Sequence, residues 1–174
     1  MGGWAAATAL ATVTAWAGNR WAVPLWGLRG VTYLSPLVEE AAKTFWAIGL
    51  AGPAGGGGLV PGGQIILVHT GFGVIEGVRD VIVRRAGRRR AGPALTPVFG
   101  AVLSHLVFGV VTVTVAEQVT RRTKVWDSAG PWFWPWLVGA AAAFVLHVIW
   151  NLLVVRAAVE ARPQGAGARR PGRG

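Results

Sequence analysis

Long apolar segments alternate with short basic or glycine-rich ones along this chain. They cover residues 3–18, 36–51, 61–83 and 94–117, and a last stretch from the aromatic run Pro131–Trp136 to about Val159. A chain built this way has few choices. In hydrocarbon every backbone N–H and C=O must be satisfied within the chain, so only helices or closed barrels persist there. The segments lack the period of strands, which points to helices. At about 1.5 Å per residue all five reach across a ~30 Å hydrocarbon core, the first two barely. The expected fold is all-α: a polytopic transmembrane helical bundle of about five helices. It forms one integral-membrane domain over residues 1–161, followed by a disordered basic tail at 162–174.

Composition agrees. Charged residues make up 14% of the chain and hydrophobic ones 53%, where soluble domains carry roughly 25% charged residues. Ten tryptophans against one tyrosine suit a chain with many membrane–water boundaries. There is no cysteine, hence no disulfide, no thiolate nucleophile and no cysteine metal site. The first segment has no basic region before it and no small-residue cleavage site after it, so it reads as a retained helix.

A net charge of +10 would suit nucleic acid. The arginines, however, cluster between apolar segments, as the positive-inside rule describes. The expected surroundings are a lipid bilayer, with no nucleic-acid partner and no obligate oligomer. Arg20, Arg29, the cluster from Arg84 to Arg90 and the tail arginines fall on one side; Arg121, Arg122 and Lys124 fall on the other. This predicts a multi-pass cell-membrane protein with its N-terminus outside and its C-terminus in the cytoplasm.

Four of the apolar segments carry ionisable or amide groups, which are costly in hydrocarbon unless paired, wet or used. In the second, Ser35 suits a helix cap and Pro36 a first helical position. Glu39 and Lys43 then share a face, with Glu40 about 100° round from Glu39. The third carries His69, Glu76, Arg79 and Asp80, with Gly73 and Gly77 spaced for close helix packing. His69 reads as a polar packing residue, and Arg79 with Asp80 as boundary charge. The fourth carries Ser104 and His105. The fifth carries His147 and Asn151, four apart and able to donate hydrogen bonds to one point. Each histidine alone reads as a packed, hydrogen-bonded side chain. Counted from the basic ends of the helices, however, Glu39, Glu76, His105 and His147 with Asn151 fall at a similar depth, which packing alone does not require.

Pro36-Leu37-Val38-Glu39-Glu40-Ala41-Ala42-Lys43 resembles the EExxK motif of the PrsW family of intramembrane proteases. Gly71-Phe72-Gly73-Val74-Ile75-Glu76 resembles that family's GFxxxE motif, His105 its lone third-motif histidine, and His147-Val148-Ile149-Trp150-Asn151 its closing HxxWN. The four occur in order across residues 34–155. The related CAAX-type prenyl endopeptidases and bacteriocin-processing enzymes carry EExxxR and a histidine in place of Glu76, so Lys43 and Glu76 favour the PrsW side.

The resemblance implies an endopeptidase that cuts a membrane-anchored protein substrate, such as an anti-sigma-factor-like regulator. It implies Glu39 as general base on water, with His105 sharing that water, and His147 with Asn151 stabilising the oxyanion. Glu40 and Glu76 complete the water-activating set, and Lys43 holds the acidic cluster as a structural ion pair. The same groups, with Glu39, His105 and His147 as ligands, would also suit one Zn²⁺, the family often being described as metalloproteases; spacing alone does not separate zinc from no cofactor. No HExxH and no serine triad stands out. Intramembrane Glu and His serve equally in a small transporter or proton-relay protein, the reading from a different class. The HxxWN pair and the lack of a repeated half favour the enzyme.

Overall fold

Two residues, Gly27 and Pro36, govern how the first third of the chain runs. The computed structural model describes residues 3–51, 61–86, 95–123 and 133–160, and all regular structure among them is helical. Helix α1 spans Gly3–Arg29 and passes through a π-helical segment, Gly30–Leu34, into α2, Ser35–Ala51. Then come α3, Pro61–Ala86, α4, Leu95–Thr123, and α5, Trp134–Glu160. The connection expected at 20–35 is therefore helical. Its one break is Gly27, where φ 53° and ψ −129° leave helical space. Glycine takes a positive φ without the steric cost other residues meet.

Pro36 accounts for the π-helical turn. In an α-helix the ring of Pro36 would press on the carbonyl of Thr32, four residues back, and proline has no N–H to bond it. The ladder slips by one, and the Ser35 N–H bonds to the Gly30 carbonyl, five residues back. The expected Ser35 cap is thus corrected. Ser35 has helical φ −58° and ψ −52°, and its hydroxyl donates to the Glu39 carboxylate instead.

α1 and α2 fold back on each other, joined by the Trp46 indole N–H donating to Thr14 Oγ1 at 3.0 Å. α2 also meets α3 and α5, while α3 packs on α4 and α4 on α5. α2 is thereby enclosed on three sides, which buries its charged face. Gly73 and Gly77 let the backbones of α3 and α4 touch. A Cβ at Gly73 would lie 2.7 Å from the Ala101 carbonyl oxygen, and one at Gly77 2.5 Å from Val98 Cα.

The apolar core is small and alanine-rich: Ala7, Ala11 and Ala15, four apart along α1, pack with Ala47, Ile65, Val68 and Phe72. Trp136 joins them at 4% exposure, so this member of the expected aromatic belt turns inward, whereas Phe133 and Trp134 face out. Trp21, Leu25, Phe45 and Phe99 are also exposed, while Glu39, Glu40, Lys43, His69, His105 and His147 are buried. Polar groups inside and large apolar ones outside invert the usual soluble arrangement. Among the described residues, two stretches are long and apolar enough to cross a membrane: Val98–Thr123 in α4 and Trp134–Val154 in α5. The glycine-rich loop after Ala51, arginines 88–90, Lys124, Pro131, Trp132 and the tail lie outside the described residues.

Candidate functional site

The sequence Glu39-Glu40 points two carboxylates about 100° apart from one turn of α2, and the bundle gives them different surroundings. Glu40, 1% exposed, is fully engaged. Its Oε1 accepts from Lys43 Nζ at 2.5 Å and from His147 Nδ1 at 2.9 Å; its Oε2 faces His69 Nε2 at 2.9 Å. Glu39 is engaged on one oxygen. Oε1 accepts from Asn19 Nδ2 at 2.9 Å and from Ser35 Oγ at 2.7 Å. Oε2 is buried and accepts no hydrogen bond from the described residues.

Lys43 links the carboxylate pair to α4. It is completely buried, and besides Glu40 it donates to His105 Nδ1 at 3.0 Å. Its ammonium also lies over the Phe72 ring, 5.0 Å from the centroid, where the negative face of the ring favours a cation. With Nδ1 accepting from an ammonium, neutral His105 carries its proton on Nε2, which donates to Glu76 Oε2 at 2.7 Å. Glu76 is the one carboxylate of the set that reaches the surface, at 34% side-chain exposure.

His147 is fixed the other way round. Its Nδ1–H points at Glu40, which leaves the Nε2 lone pair free, and Nε2 lies 3.9 Å from Glu39 Oε2. The ring is held by stacking on Phe108, with centroids 4.6 Å apart and planes at 23°. Two acceptors 3.9 Å apart suit one small donor between them. With hydrogen bonds of about 2.8 Å to each, the angle at that donor is roughly 90°, near the angle between the two O–H bonds of water. The arrangement can therefore orient a single water with its oxygen lone pairs turned away from both groups.

The residues expected to converge do so: Glu39, Glu40, Lys43, Glu76, His105 and His147 form one connected cluster. Three expectations change. The ring facing Glu39 Oε2 is His147 and not His105, whose two nitrogens are committed to Lys43 and Glu76. Glu40, with three hydrogen-bond partners at 1% exposure, serves as an anchor. Asn151 does not aim its amide jointly with His147 at one point; Nδ2 donates to the Val31 carbonyl at 3.2 Å. Pro36 frees that carbonyl, since the π-helical partner of Val31 would be the N–H of residue 36. Asn151 still lines the same 340 Å³ cavity as Glu39, Glu76 and His147, and the second N–H of its amide remains available. The hydroxyl of Ser104 donates to the Ala101 carbonyl, away from the cluster.

Three participants escape the motif pattern. His69 is wholly buried between Glu40 and the Ile65 carbonyl, to which Nδ1 is hydrogen-bonded at 2.9 Å. Both of its nitrogens face acceptors, so the His69–Glu40 contact contains a shared proton. Asn19 and Ser35 orient Glu39 from α1 and from the start of α2. His69 stands seven residues before Glu76, on the same face of α3 after two turns, and that spacing was the signal that could have found it. Asn19 and Ser35 offered no comparable signal, because their role depends on the fold-back of α1 on α2.

A metal is tested by the same hydrogen bonds. Glu39, Glu76 and His105 each offer a ligand atom within 4.8 Å of the others. A metal-bound histidine, however, donates its remote N–H to an acceptor. The remote nitrogen of His105 meets the Lys43 ammonium, a donor, so a metal on Nε2 would set two donors against each other. His147 has the correct remote partner in Glu40 but stands outside the three-residue group. Among the described residues no three ligands with compatible remote partners come together. No protein-family model, curated protein or solved structure matches this chain.

Proposed function

We propose that this chain is an intramembrane endopeptidase that hydrolyses a peptide bond of a membrane-anchored protein with a water held between Glu39 and His147, without a metal. One observation carries the reading: two buried acceptors of opposite type, a carboxylate oxygen and an imidazole nitrogen, face each other at 3.9 Å beside open cavities. The four ordered PrsW-like motifs support it, as does the placement of their ionisable residues in one cluster. The inverted distribution of polar and apolar groups supports a multi-pass bundle in the cell membrane, oriented with its basic loops in the cytoplasm.

The chemistry follows from the roles the geometry leaves open. Glu39 Oε2 takes a proton from the water as its oxygen bonds to the scissile carbonyl carbon. The free N–H of Asn151 is the donor within the cavity for the developing oxyanion. The proton passes to the leaving amine through His147 Nε2 as the C–N bond breaks. Glu40, Lys43, His69 and His105 hold the two reacting groups in place.

A purified preparation in liposomes, given single-span reporter proteins, tests this against the transporter alternative. Glu39-dependent cleavage is expected. Glu39-dependent movement of an ion or solute with no cleavage of any reporter would replace the peptidase by the transporter.

A further inference from the structure

Two arginines line a second cavity beside the cluster. This 550 Å³ space has Glu39, Glu76 and Asn19 among its lining residues, and Arg20 and Arg79 as well. The inner polar groups are partnered: Glu39 with Asn19 and Ser35, Glu76 with His105. The two arginines differ. Among the described residues neither guanidinium takes part in an ion pair. Arg20 lies over the Trp16 ring, 5.5 Å from its centroid, a contact that leaves its N–H edge free. Trp16 lines the same cavity.

Boundary arginines that only face water or headgroups have no reason to converge on one cavity from different helices. Here one comes from α1 and one from α3, and both line the space that Glu39 and Glu76 also line. We propose that the cavity is a subsite for a carboxylate-bearing residue of the peptide substrate, held between Arg20 and Arg79. The proposal rests on the peptidase reading and adds the chemical class of residue it selects.

The test uses the full chain in detergent micelles with two capped fluorescent peptides, Ala-Leu-Glu-Leu-Ala and its Gln counterpart. Binding is read with Glu39→Gln, which prevents turnover, and cleavage is read with the native chain on single-span reporters bearing Glu or Gln near the cut. The acidic peptide is expected to bind about tenfold tighter or more, the scale of a charge-assisted contact. Adding Arg20→Gln and Arg79→Gln should remove the preference and leave the Gln peptide unchanged. Arg79→Glu should turn the preference toward a Lys peptide. Equal affinity for both peptides, equal loss of both in the double variant, or a preference that survives it would overturn the subsite. So would loss of the preference when phosphatidylglycerol is added, which would assign the arginines to lipid headgroup phosphate. Glu39-dependent cleavage indifferent to Glu or Gln would remove the subsite alone. Acid-selective binding with no cleavage would remove the peptidase alone.

Discussion

The side-chain amide of Asn151 is bound to the backbone carbonyl of Val31, 3.2 Å away and 120 residues earlier in the chain. The bond exists because Pro36 cannot supply the N–H that the π-helical register calls for. A proline that looks like an ordinary helix start thus sets the position of the last motif residue. Asn151→Ala should lower turnover by about 10²–10³, as for a lost oxyanion donor, with little change in thermal stability. Initial-rate kinetics alongside a melting curve in detergent checks both parts. A large fall in stability with turnover per folded molecule intact would make Asn151 a purely structural tie.

Lys43 behaves differently in this structure. It is wholly buried, and its removal leaves Glu40 without its cation and His105 Nδ1 without its donor. Lys43→Ala should destabilise the fold by about 3–5 kcal/mol, the scale for breaking a buried pair. Thermal unfolding in detergent measures this, and a melting point equal to that of the parent protein would show that Glu40 does not depend on it.

Asn19 bonds the reacting carboxylate, Glu39, and His69 the anchoring one, Glu40. Asn19→Ala should leave Glu39 in place but less constrained, lowering kcat by roughly tenfold, about the weight of one hydrogen bond to a charged group, with KM nearly unchanged. Asn19→Asp would instead set a carboxylate against Glu39 and should be worse than alanine. His69→Ala leaves Glu40 Oε2 buried and unpaired, at a cost of about 1–3 kcal/mol or more. Parent-like kinetics in Asn19→Ala would remove it from the positioning set.

How much of this was legible beforehand differs by residue. Glu39, Glu40, Lys43, Glu76, His105 and His147 stand out because an ionisable group in an apolar helix is conspicuous, and a similar depth links Glu39, Glu76, His105 and His147 with Asn151. What each one faces was not legible, because side-chain partners depend on how helices rotate against each other. That is how His147 takes the place beside Glu39 that the resemblance implies for His105. The stretch 20–35 read as a connection because Pro24, Gly27 and Gly30 break patterns. In the fold the helix absorbs Pro24, bends at Gly27 and slips register before Pro36. His69 reads as a packing residue because its partner, Glu40, is 29 residues away in sequence.

The metal question has its own measurement. With the Lys43 ammonium facing His105 Nδ1, purified protein should contain far less than one equivalent of zinc, and strong chelators should leave turnover unchanged. One equivalent of bound zinc, with activity lost on chelation and restored by adding the metal back, would show that His105 and Lys43 rearrange to admit an ion.

Glu39→Gln is the decisive substitution. Glutamine keeps the size of the side chain and an oxygen for Asn19 and Ser35, but it cannot take a proton from the water shared with His147. Turnover of a single-span reporter by Glu39→Gln, measured in liposomes at equal folded protein, should fall by about 10²–10⁴ while the melting point stays close to that of the parent. Undiminished cleavage by Glu39→Gln would contradict the assignment of the water to Glu39 and His147, and with it the proposed reaction.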